Sequence, residues 1–145
     1  MILVAEDDAD DRLLIGTALA RTAINPDVRY VTDGRALLDY LRREGPWCEP
    51  RSSPRPDLVL LDLNMPRMSG RDGLRVLKQD PALRCVPIVV FTTSDDPRDV
   101  ETCYDAGANA FVTKPCTIAE LTRALAAIVE FWLAVAARRP LYADT

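Results

Sequence analysis

Histidine is absent from the 145 residues. Without an imidazole there is no Ser-His-Asp or Cys-His nucleophile pair, no histidine-ligated metal and no self-carried phosphohistidine. Cysteine is sparse: Cys48, Cys85, Cys103 and Cys116 include no C-x-x-C pair. That spacing suggests neither a zinc site nor a redox dithiol and leaves free thiols as the expectation. Positive charge is not in excess either, since 18 Lys and Arg are interspersed with 22 Asp and Glu, for a net charge of −4. A phosphate backbone needs a basic face, so nucleic acid is not an expected partner. No apolar run approaches the ~20 residues of a membrane span. Met1–Ala5 leads into acids without a basic leader and is not a signal peptide. A cytoplasmic domain without membrane attachment is expected.

What is present is an ordinary globular composition, 48% hydrophobic and 28% charged, at the length of one domain. Short apolar runs at Ile2–Ala5, Val28–Val31, Leu58–Asp62, Pro87–Thr92 and Ala110–Thr113 read as strands. Between them, helical spacing runs from about Asp10 to Ala23, with Leu13, Leu14, Thr17 and Ala18 on the apolar side. A second helix opens at Asp33-Gly34. A third follows Ser69-Gly70 and stops before Pro81, and a fourth covers Asp95–Ala106, with Pro97 near its start and Gly107 past its end. Thr117 and Glu120 form a capping-box signal for a last helix that the pattern extends over about 118–137. Arg138, Arg139 and Pro140 close it.

Glu44–Pro56 breaks the pattern: four prolines in thirteen residues exclude helix and central strand and make a long surface loop, pinned to the body by Trp47. Five strands alternating with five helices predict an α/β protein with a parallel sheet covered on both faces.

The strand ends carry the chemistry. The first strand runs into Glu6-Asp7-Asp8, the third into Asp62, the fourth into Thr92-Thr93-Ser94 and the fifth into Lys114-Pro115. In a doubly wound sheet these ends share one edge, where ligands bind. One polar strand end is a solvated turn; four bearing acids, hydroxyls and a lysine form a site. Clustered carboxylates require a cation, and all-oxygen ligands select a hard one such as Mg²⁺. A carboxylate beside such a cation, a hydroxyl and an ammonium is arranged as a nucleophile for phosphoryl transfer.

Glu6-Asp7, Asp62-Leu63-Asn64-Met65-Pro66-x-Met68-Ser69-Gly70, Thr92 and Lys114-Pro115 resemble the defining positions of response-regulator receiver domains. The resemblance covers nearly the whole chain. It implies a flavodoxin-like doubly wound (βα)5 fold with strand order 2-1-3-4-5, over residues 1–137, followed by a short tail, 138–145, with no output domain. It implies Asp62 as phospho-acceptor, with Mg²⁺ held by Glu6, Asp7, an Asp62 oxygen and the backbone carbonyl of Asn64. Thr92 would bond the acyl phosphate and Lys114 would pair with it, with Thr92 and Phe111 as switch positions. Two features depart from the common pattern: Glu6 replaces an Asp, and Phe111 has no hydroxyl, so it reads equally as a plain core residue.

The long loop, Phe91-Thr92-Thr93-Ser94 and the tail are similar to single-domain regulators that partner bacterial phytochrome kinases. A sensor histidine kinase is therefore the expected partner, and Trp132 and Leu133 suggest a homodimer through the last helix and neighbouring elements. The expected output is protein contact or phosphorelay rather than turnover catalysis. A Mg²⁺-dependent phosphohydrolase with an Asp nucleophile is the alternative. It would need a general acid two residues on, where Asn64 cannot transfer a proton. A flavin-binding module would meet repelling acids after the first strand.

Overall fold

Every residue of Ile2–Ala5 and Leu58–Leu61 is apolar, and both runs become strands buried along their length, β1 and β3. Val28–Val31 (β2) and Ala110–Thr113 (β5) carry Arg29, Tyr30 and Thr113 and are partly exposed. Ile88–Thr92 (β4) is fully buried. Burial dictates placement. In this computed structural model, which describes residues 1–137, the five strands form one parallel sheet in the order β2-β1-β3-β4-β5, with the two polar strands at the edges. The helices between them are Ala9–Ala20 (α1), Gly34–Arg42 (α2), Gly70–Gln79 (α3), Pro97–Asp105 (α4) and Ile118–Val129 (α5). The alternation predicts the covered parallel sheet, and the strand order is the flavodoxin-like doubly wound one that the receiver-domain resemblance implies.

Strand side chains alternate between two cores. Leu3, Ala5, Val59, Leu61, Ile88 and Val90 face one side and meet Leu37 and Leu41 of α2, Leu74 and Leu77 of α3, and Cys103 of α4. Ile2, Val4, Leu58, Leu60, Val89 and Phe91 face the other, where α1 and α5 lie. Each helix begins at a side-chain cap: Asp8, Asp33, Ser69, Asp96 and Thr117 accept from backbone N–H groups two or three residues on. Lys78, near the end of α3, fixes the connection to β4 by donating to the carbonyls of Arg84 and Val86 and to Asn109 Oδ1.

Three expectations are corrected. The core face of α1 is Ile15, Ala18 and Leu19, while Leu13 is 69% exposed and Leu14 and Thr17 also face solvent. Helical period puts residues 15, 18 and 19 on one stripe, and α5 covers it. The Pro-rich loop contains one 3₁₀ turn, Gly45–Trp47, because Pro46 sits at the turn's start, where its missing N–H costs nothing. Trp47 does pin the loop: its ring lies 6.0 Å from that of Tyr40, whose hydroxyl donates to the Pro54 carbonyl.

The last helix is also not one α-helix over 118–137. It widens into a π turn at Glu130–Val135 and stops at Ala136, whose backbone is extended. Trp132 and Leu133 turn inward onto the second core, leaving Phe131 and Val135 as the exposed large apolar residues there. Arg138, Arg139, Pro140 and the tail lie outside the described residues.

Candidate functional site

Register brings the strand-end residues together. Ala5 pairs with Leu61, so Glu6 and Asp62 leave the sheet side by side, and Thr92 pairs with Thr113, so Lys114 follows directly. Backbone bonds hold these ends: Asp62 N–H donates to Ala5 O at 3.0 Å and Lys114 N–H to Thr92 O at 2.7 Å. Beyond Asp62, Gly70 presses against the acceptor's own peptide. A Cβ at Gly70 would lie 1.9 Å from the Asp62 carbonyl oxygen, so only glycine lets α3 start there.

One carboxylate oxygen from each of Glu6, Asp7 and Asp62 falls within 4.8 Å of the others. Two are buried, Glu6 to 2% exposure and Asp62 to 7%, while Asp7 faces solvent. The ammonium of Lys114 donates to Glu6, lies 3.1 Å from Asp11 Oδ2 and is 4.0 Å from Asp62 Oδ2. Burial pushes the Glu6 carboxyl up, further than the Lys114 hydrogen bond brings it down. Burial alone would lower Lys114, but the hydrogen bond to Glu6 and the charges of Asp62 and Glu6 outweigh it, so its ammonium is held above the ordinary lysine value.

Thr92 is fully buried, and its Oγ1 has no hydrogen-bond partner. Buried hydroxyls are seldom left so, and an orphan beside an acid cluster marks a place for an acceptor oxygen. The donor set fits a hard divalent cation. Three carboxylates without one repel, and an all-oxygen set gathered this closely selects a hard cation with ligands at ~2.1 Å.

Asn64 is exposed, and its side-chain oxygen accepts from Arg71 Nη1 at 3.2 Å. Phe111 is half-buried against the first core, its N–H donating to the Tyr104 hydroxyl. Sequence reasoning missed four participants. Asp11 holds Lys114, and Arg12 fixes the acidic turn by donating to the carbonyls of Glu6 and Asp7. Arg71, which also reaches Asn64, pairs with Asp99 of α4. Asp11 and Arg12 sit one turn into α1, a weak cue that sequence does carry; Arg71 and Asp99 are 28 residues apart and gave none.

A doubly wound sheet with these residues at its edge is the architecture of a two-component signalling domain, and the chain belongs to the response regulator receiver domain family, which it matches over residues 2–126. Among individual relatives, it is 37% identical to the response regulator Rcp1 of Synechocystis over 133 residues, 92% of this chain and 88% of that protein. It superposes on the phosphorylated cyanobacterial phytochrome response regulator RcpA with a TM-score of 0.87 at 39% identity, covering 94% of this chain and 95% of that one. The Mn²⁺-bound form of Rcp1 gives 0.86 at 34% identity, over 96% and 98%. Its relatives thus include phytochrome response regulators, and the acidic cluster fits the divalent-metal site of such domains.

Proposed function

We propose that this receiver domain accepts a phosphoryl group on Asp62 from a partner sensor histidine kinase, in a reaction that uses Mg²⁺. The observation that carries the reading is the convergence of Glu6, Asp7 and Asp62 with Lys114 and the orphan hydroxyl of Thr92. An Asp62 oxygen attacks phosphorus, the P–N bond to the kinase histidine breaks, and its electron pair stays with the imidazole. Lys114 meets negative charge on the phosphoryl oxygens, and Thr92 Oγ donates a hydrogen bond to one of them. Glu6, Asp7, Asp62 and the backbone carbonyl of Asn64 would hold Mg²⁺, which when bound neutralises charge between acceptor and phosphoryl group. Asn64 cannot act as a general acid, which favours a lasting acyl phosphate over phosphohydrolase turnover.

The phytochrome response regulators among the relatives support a bacterial phytochrome kinase as donor; on this reading residues 1–137 are the receiver unit of a cytoplasmic stand-alone regulator that signals by protein contact or phosphorelay. Exposed Phe131 and Val135 suit pairing with a second copy through the last helix; a monomer in sedimentation at every concentration would remove that part. The direct test is labelling by acetyl phosphate. Wild type should incorporate phosphate with Mg²⁺ and not with a chelator, and Asp62→Asn should incorporate none. Undiminished labelling of Asp62→Asn would defeat the assignment.

A further inference from the structure

Phe111 offers no hydroxyl through which Thr92 could pull on β5, yet another polar route leaves the site. Asn64, two residues past Asp62, gives its side-chain oxygen to Arg71. The same guanidinium grips Asp99 of α4, with Nε and Nη2 at 3.2 and 3.0 Å from Oδ1 and Nη2 at 3.1 Å from Oδ2. Asp99 Oδ2 in turn accepts from Ser94 Oγ at 2.6 Å, and the Ser94 carbonyl accepts from Thr113 Oγ1 at 3.0 Å. The chain of contacts thus runs from the loop after Asp62 to the loop after Thr92.

Both ends of this bridge differ in firmness. Arg71 follows Gly70, whose N–H donates to the Leu63 carbonyl at 2.9 Å and whose Cα lies against the Asp62 peptide, so its backbone is locked to the acceptor. Helix α4 is loosely held. Cys103 is its one buried residue, and a cavity of about 310 Å³ opens between α3 and α4, lined by Arg71, Leu74, Thr102 and Cys103. A forked guanidinium on a carboxylate is directional as well as strong. We infer that Arg71 is a positioning residue that ties α4 to the loop after Asp62, so that occupation of Asp62 by a phosphoryl group is transmitted to α4 through the Arg71–Asp99 pair.

The inference rests on the phosphorylation reading above, and beryllofluoride, a phosphoryl mimic, separates the two. Fluorine NMR reports binding to the full chain with Mg²⁺, and amide hydrogen exchange over residues 97–105 reports α4. Wild type should bind and change its α4 exchange; Asp62→Asn should do neither. Arg71→Met and Asp99→Asn should still bind but lose the α4 change, the double variant should match either single one, and Arg71→Lys should restore little because it lacks the fork. Absence of wild-type binding overturns the phosphorylation reading. Binding without an α4 change in wild type, a full α4 change in Arg71→Met, or loss of binding in Arg71→Met overturns the bridge.

Discussion

At the residue scale the informative group is the Thr92 hydroxyl, buried without a partner. Such a group costs roughly 1–3 kcal/mol of desolvation, while a hydrogen bond to a charged acceptor is worth about 1.5–3 kcal/mol. Thr92→Val keeps the shape and removes the orphan. It should raise resting stability by up to ~1 kcal/mol in urea unfolding and weaken beryllofluoride binding by about tenfold or more. Unchanged affinity would remove Thr92 from the site. Glu6, Asp7, Asp62, Thr92 and Lys114 were legible because each stands where an apolar strand stops, and parallel strands must stop on a shared edge. Asp11 was legible only weakly, from its place one turn into α1, and Arg71 and Asp99 were not. Charged residues on helix surfaces are common, and nothing local distinguishes one that reaches across to another loop from one that reaches into water.

At the element scale the strands were readable from short apolar runs and the helix starts from their caps. Hydrophobic spacing is ambiguous where two faces of a helix compete. Helix α1 offers Leu13 and Leu14 as well as Ile15, Ala18 and Leu19, and only the position of α5 decides which set is covered. In the last helix the apolar stripe continues past Val129, but a π turn carries it, a change of winding that hydrophobic spacing does not encode. The α3–β4 connection gives a prediction with a sign. Burial pushes the Lys78 ammonium down from 10.5 to about 8, against a small upward pull from Cys85. Between those values the unfolded chain binds a proton that the native chain lacks, so this group makes stability rise with pH from about 8 to 10.5 and leaves it flat below. The raised Cys103 and Tyr40 act oppositely above their ordinary values, so the comparison is between variants. Subtracting the pH–stability curve of Lys78→Met from that of wild type should leave a rising difference over this window; a flat difference would mean Lys78 stays charged in the native state.

For the whole molecule, the three carboxylates meet only when β1 and β3 are paired, so a cation they hold is bound by the folded state and not by the unfolded chain. Ligand linkage then adds about 2.7 kcal/mol at a free metal concentration a hundred times Kd. Thermal unfolding should move up by several degrees with Mg²⁺ relative to a chelator, and the shift should shrink in Asp7→Asn, whose exposed side chain makes it the least disruptive acid to neutralise. Identical melting in metal and chelator would contradict the metal assignment. Among the described residues no helix is long and apolar enough to cross a membrane.

The loop from Asp62 to Gly70 is closed at both ends by missing side chains. At one end Gly70 lies on the Asp62 peptide. At the other the N–H of Gly34 donates to the Met68 carbonyl at 2.8 Å, and a Cβ there would come within 2.6 Å of that same oxygen. Arg67 between them is left-handed at φ 63°, held by its ion pair with Asp33. The loop is therefore cast between two walls of bare backbone, and its shape is inherited from neighbours rather than from its own residues. In a library that varies the whole chain, positions 34 and 70 should admit almost nothing but glycine, while exposed Pro66 between them drifts. The evolutionary signature of the acceptor would then lie in two residues that never touch a phosphoryl group.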